Sequence, residues 1–215
     1  MKAVKYLTGV MALGAVAVLG LAQQQPSMSF FITSVGSGDG GNLGGLAGAD
    51  AHCQQLAAAA GHGDATWRAY LSQAPGMGMP LVNARDRIGD GPWYNANGVY
   101  IAWDIDGLHE DRNNVRKPTA LDENGEVVSG AGDSPNRHDI LTGSDSMGRL
   151  VPGNAQVTTC SNWTNNGEGR AIVGHHDRLG GPSASWNSVH SSQGCSQQSL
   201  ENTGGAGLFY CFAAD

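Results

Sequence analysis

Ser185-Trp186-Asn187-Ser188, then Cys195, then the closing run Leu208-Phe209-Tyr210-Cys211-Phe212 fill the last third of the 215-residue chain. Counting Cys160 at its start, this third holds three of the four cysteines; the fourth, Cys53, lies far upstream. An apolar, aromatic run of this kind reads as a closing strand. A cysteine inside it can tie the end of the chain to an earlier element. With 33 glycines and only 14% charged residues, the chain reads as many turns and loops on a small frame braced by disulfides.

Working outward, Lys2 and Lys5 precede an uncharged apolar run, Leu7 to Leu21, and Gly20-Leu21-Ala22 offers small residues for a signal peptidase. The reading is a signal peptide over 1–22, cut after Ala22, with a retained anchor as the alternative because the run approaches the ~17–20 residues of a spanning helix. An exposed leader (23–29) and one domain (30–215) follow, secreted or held in the periplasm or cell envelope. Loss of the two lysines moves the formal charge from −7 to −9. An acidic exported chain argues against nucleic acid or an anionic membrane as partner, and no later run is apolar enough for membrane insertion. Four cysteines in an oxidising compartment read as two disulfides, with three pairings open.

In chain order, Phe30 to Val35 predicts a strand, and Ala49 to Ala60 a helix stopped at Gly61. Thr66 to Ser72 alternates as a second strand. Leu81 to Arg87 reads as a short helix or turn, and Trp93-Tyr94 with Gly98 to Ala102 as a turn into a strand. Asp104 to Arg149 is polar and rich in turn formers, a loop excursion without material for its own core. Ala171-Ile172-Val173-Gly174 is apolar, and Leu208 to Phe212 closes the chain. The fold class is α+β, with small antiparallel sheets, one or two helices and long loops.

Gly48-Ala49-Asp50-Ala51-His52-Cys53 followed by Trp67-Arg68-Ala69-Tyr70-Leu71-Ser72 resembles the opening of the endostatin domain of collagens. Gly143-Ser144-Asp145 with Gly148-Arg149 is similar to that family's Gly-Ser-Asp-x-x-Gly-Arg turn, and the order Cys160, Cys195, Cys211 is the family's order. Exported bacterial proteins labelled lectins look closer still in general style. The resemblance covers about Phe30 to Asp215 and implies a C-type lectin-like fold. It also implies nested bridges, Cys53–Cys211 and Cys160–Cys195.

Sugar-binding C-type lectins carry Trp-Asn-Asp between the second and third cysteines, where Asn and Asp help hold a calcium ion. Here Trp186-Asn187-Ser188 has lost the acid, and Asp133-Ser134-Pro135-Asn136 only approaches the family's Glu-Pro-Asn motif. Calcium takes six to eight oxygen ligands, so each loss weakens such a site. A second oxygen set is Asn165, Asn166 and Glu168 in one loop, with Asp177 nearby. The candidate ligand-binding residues are Asp133, Asn136, Asn165, Glu168, Asp177, Trp186 and Asn187, and the candidate calcium ligands among them are Asn187, Glu168 and Asp177. The plainer alternatives are a core position for Trp186, a turn position for Asn187 and solvated loops for the rest.

His175-His176-Asp177 with His190 invites a zinc reading, but adjacent histidines point apart and no His-Glu-x-x-His frame is present. The histidines that bind zinc in endostatin are N-terminal and have no counterpart here. No Gly-x-Ser-x-Gly elbow marks a serine nucleophile, and Gly36 to Gly41 lacks the ending of a phosphate loop. Asn162-Trp163-Thr164 is a formal glycosylation sequon. Trp93 and Tyr94 are candidates for sugar stacking or for the core edge. The expected function is a non-enzymatic exported module that binds carbohydrate through its loop face, with calcium as the candidate cofactor. A structural or protein-interaction module of the envelope or extracellular matrix is the alternative, and a metal-dependent hydrolase ranks last.

Overall fold

The computed structural model describes residues 1–3, 25–76, 78–110, 112–179 and 184–215; the apolar run and cleavage site assigned to a signal peptide lie outside them. Fourteen elements follow in order among the described residues: β1 (Phe30–Ile32), α1 (Gly45–Ala59), β2 (Trp67–Ala69), a 3₁₀ turn (Ala84–Arg87), β3 (Trp93–Tyr94), β4 (Tyr100–Ala102), α2 (Ile105–His109), β5 (Asp139–Leu141), α3 (Ala155–Thr158), α4 (Cys160–Trp163), β6 (Ile172–His175), β7 (His190–Ser191), α5 (Gln197–Asn202) and β8 (Gly205–Ala213). The class is α+β, with one six-stranded sheet and a β3–β4 hairpin. No helix among the described residues is long and apolar enough to cross a membrane.

β8 is the centre of the sheet, whose order is β1-β8-β5-β6-β7. β1 runs antiparallel along one edge of β8, pairing Phe30 with Phe212. The other edge takes β2, with Arg68 opposite Phe212, and then β5 in parallel, with Leu141 opposite Phe209. Alternation sends Phe209 and Cys211 into a core beneath α1 with Phe31, Trp67 and Trp163. Leu208, Tyr210 and Phe212 point the other way, into a second core with Tyr70, Trp93, Ile101, Ile140 and Trp186. Both faces of β8 are buried, which is why its sequence is apolar without interruption.

The Ala-rich face of α1 lies close to the sheet, and Cys53 reaches Cys211 there; the second bridge is Cys160–Cys195. These are the two pairs that the resemblance implies, and two buried bridges suit an oxidising compartment. α1 starts at Gly45, four residues before the Ala49 expected, and ends before Gly61, whose φ is 84°. Asp50 serves this packing: its carboxylate accepts from the Ala69 backbone N–H and from Arg68 and Arg87, each within 2.9 Å. Trp93 is 1% exposed and donates to the Ala213 carbonyl, so it belongs to the core edge. Asn162 sits in α4, a turn whose four residues all have positive φ, and its buried amide bonds both Ala74 N and Ala74 O. That sequon is therefore closed to a glycan.

The stretch from Asp104 to Arg149 differs most from expectation. It is not only loop: it contains α2 and contributes β5 to the middle of the sheet. β5 then pairs antiparallel with β6, and β6 with β7 at the far edge.

Candidate metal centre

Register on the β5–β6–β7 side of the sheet gathers imidazoles. Asp139 stands opposite His175 in the β5–β6 pair, and His190 stands opposite Val173, two residues along the same face as His175. His138 immediately precedes β5. The result is a cluster around Asp139 Oδ1: His175 Nε2 at 3.0 Å, His138 Nε2 at 3.4 Å and His190 Nε2 at 3.6 Å. His175 Nε2 and His190 Nε2 are 3.1 Å apart. Tetrahedral zinc, with bonds of about 2.0–2.1 Å, spaces its donors roughly 3.3 Å apart. The observed spacings bracket that value.

The outer nitrogens define what the inner ones present. His175 Nδ1 lies 2.8 Å from the Leu179 carbonyl and His190 Nδ1 3.1 Å from the Ser191 carbonyl. A carbonyl only accepts, so in the neutral rings each Nδ1 carries the hydrogen and each Nε2 turns a lone pair inward. His138 Nδ1 faces the Asp177 carboxylate at 3.5 Å. Asp139 is 3% exposed, and the imidazole nitrogens of His175, His138 and His190 surround its Oδ1. A buried carboxylate ringed by imidazole nitrogens is arranged for a cation, a proton on His175 or a metal ion in its place. Burial and then the neighbouring His175 lower the His138 pKa. Burial works to lower that of His175, but the hydrogen bond and charge of Asp139, together with the Leu179 carbonyl and Asp177, outweigh it and the net shift is upward.

His176, next along β6, turns away toward the Ser129 carbonyl at 3.3 Å, and burial pushes its pKa down to about 4. Of the adjacent histidines, then, one belongs to the centre and the other does not. No known protein-family model matches the chain, and no curated protein resembles it significantly in sequence.

The residues expected to hold calcium do not converge. Asn187 is 1% exposed: its amide donates to Tyr70 Oη, Asp145 O and Ser146 O, and its Oδ1 accepts from Ser185 Oγ. Every polar atom of that side chain is engaged inside the protein. Trp186 is a core residue, ringed by Tyr70 and Tyr210 with centroids 4.8 and 5.0 Å away. Glu168 is exposed in a loop where Asn165 donates to its carbonyl. Asp133 pairs with Lys117, and Asn136 accepts from the His138 N–H. Asp177 accepts from the Ala131 and Leu179 N–H groups, which with the nearby histidines hold its pKa below the usual range against the effect of burial. Its place is behind His138, where it supports the histidine centre instead of a calcium ion.

Sequence reasoning missed His138 and Asp139 altogether. The one available signal was that both His138-Asp139 and His175-His176-Asp177 adjoin short β-branched or aliphatic runs, Ile140-Leu141 and Ile172-Val173.

Proposed function

We propose that this chain is an exported zinc-binding module of C-type lectin-like, endostatin-like architecture. The single observation behind the metal reading is the convergence of three imidazole Nε2 atoms on the buried carboxylate of Asp139. Imidazole with one carboxylate is the donor set of zinc, whereas calcium seeks oxygens. The fold reading draws support from β1 and β8, which bring the two ends of the domain together, and from the bridge that fastens α1 to β8.

Dialysis of the oxidised protein against zinc, followed by metal analysis, tests the proposal. About one zinc per chain is expected, with loss of binding in Asp139→Ala and His175→Ala variants that remain folded. At free zinc one hundred times the dissociation constant the native state gains about 2.7 kcal/mol. For a domain of this size the melting midpoint then rises by roughly 5–10 °C over that in chelator. A wild-type protein that binds no zinc and melts identically in both conditions sinks the reading.

A second reading, carbohydrate binding, is favoured by a cleft of about 350 Å³ beside Trp186 and Asn187, lined also by His109, Glu110, Asn113 and Arg116. The Arg116 guanidinium and the Glu110 carboxylate suit sugar hydroxyls, and the volume lies within the range of small-ligand sites. A glycan array run with zinc and with chelator checks it; retention of no sugar in either condition removes it.

A further inference from the structure

Ring geometry bears on how such an ion completes its coordination. His138 and His175 stack, with centroids 3.9 Å apart and planes 15° from parallel. An imidazole nitrogen binds a metal along its lone pair, in the plane of its own ring. Two planes so nearly parallel, separated by a stacking distance, meet only far from either ring. One ion therefore cannot lie in both planes while the pair stays stacked. His175 and His190 are arranged otherwise: their rings stand 71° apart and their Nε2 atoms are 3.1 Å from each other, beside Asp139 Oδ1. Those two planes cross close to the rings. Asp139, His175 and His190 thus make a three-donor seat, with His138 lying flat against one of its ligands.

We propose that the fourth coordination position of zinc on this seat is filled by an exogenous oxygen-donor anion, the carboxylate of a ligand, and by water when no ligand is present. The inference rests on the zinc reading above and names what that zinc binds. Three protein donors with an exchangeable fourth position is the pattern of zinc sites that take substrate, while four protein donors is that of closed structural sites. The position is reachable. The side chain of His190, on the sheet's edge strand, is 41% exposed, whereas those of Asp139, His175 and His138 are 2%, 3% and 10% exposed.

Charge selects the ligand class. Zinc with one carboxylate and two neutral imidazoles carries +1, and a monoanion brings the first shell to zero in a largely desolvated site. The other acid nearby, Asp177, is committed to two backbone N–H groups and to the far side of His138. His138, with its Nδ1 toward Asp177, is left with Nε2 facing the seat, 3.4 Å from Asp139 Oδ1. From there it accepts a hydrogen bond from zinc-bound water. Binding is a ligand exchange: the zinc–water bond breaks, a zinc–carboxylate oxygen bond forms, water leaves, and no electron is transferred.

The test uses the oxidised protein loaded with one equivalent of cobalt(II), whose visible d–d absorption reports coordination, titrated with acetate and with acetohydroxamate as oxygen-donor probes. The expected result is a saturable spectral change with both probes in wild type and in His138→Ala, with cobalt affinity in His138→Ala lowered by no more than the roughly 10–100-fold of an outer-shell partner. His190→Ala loses more affinity than His138→Ala, as befits a direct ligand. If His138→Ala does not fold, His138→Phe keeps the stacked ring without its nitrogens and carries the same expectation. A wild-type spectrum indifferent to both probes, with a response gained only on removing the His138 nitrogens, overturns the inference, because His138 then holds the fourth position. Absence of any d–d band on adding cobalt is a separate outcome: it defeats the zinc reading, and this inference with it.

Discussion

Removing the bridge between α1 and β8 is expected to cost more than removing the one beside it. Cys53 and Cys211 are 158 residues apart and Cys160 and Cys195 are 35 apart. In the chain-entropy treatment, loops of these lengths give about 5 and about 4 kcal/mol at 25 °C. All four cysteines are 0% exposed, so replacing either pair by alanine deletes two buried sulfurs and leaves cavities of similar size. Those terms largely cancel between the two double variants, leaving a difference of about 1.3 kcal/mol from loop length alone. A native domain holds only about 5–15 kcal/mol in total, so Cys53→Ala/Cys211→Ala should sit much nearer its unfolding midpoint in water. Guanidinium unfolding of the oxidised wild type and both double variants, in chelator to exclude any bound metal, gives the comparison directly. If the short-loop variant loses as much stability as the long-loop one, or more, denatured-state entropy is not what the Cys53–Cys211 bridge contributes.

Burial pushes the His109 pKa down from 6.5 to about 4, with Arg85 working the same way and Ile105, Asp145 and Asp106 opposing. The cause is visible: neutral His109 donates from Nδ1 to the Ile105 carbonyl and accepts at Nε2 from Tyr70 Oη, 2.6 Å away, in a pocket closed by Trp186. Above pH 6.5 the ring is neutral folded and unfolded alike; between pH 6.5 and about 4 only the unfolded chain takes the proton, so stability falls as pH falls, and below about 4 the loss levels off. The wild-type stability curve minus that of His109→Gln, measured by chemical denaturation, should show a loss approaching about 3 kcal/mol across that window. A flat difference curve refutes the assignment. Asn187→Ala is expected to cost ~2–3 kcal/mol, because it strips a donor from buried Tyr70 Oη and from two part-buried carbonyls. Millimolar calcium should leave the melting temperature of wild type and variant unchanged; a calcium-dependent rise abolished by Asn187→Ala would restore the lectin-type calcium site.

Local chemistry in the sequence was enough for the parts that bury themselves on both sides or end in glycine. Leu208 to Phe212 is apolar at every position because β8 has a core on each face, and the alanines before Gly61 announce a helix that packs closely and stops. Cysteine count and spacing, with the shared motifs around Cys53 and Trp67, carried the disulfide frame. β5 was not legible. It is three residues long, begins with a carboxylate and lies in a polar stretch; only its two neighbours, β8 in parallel and β6 antiparallel, make it a strand. The same holds for the site. Trp186 and Asn187 looked like a ligand edge, yet the fold spends them on the core, where the Asn187 oxygen is buried and accepts from Ser185 Oγ. His138-Asp139, His175 and His190 share no spacing that a local frame would reveal. Strand pairing alone places them around one carboxylate oxygen, because opposite residues in a sheet stand side by side whatever their separation along the chain.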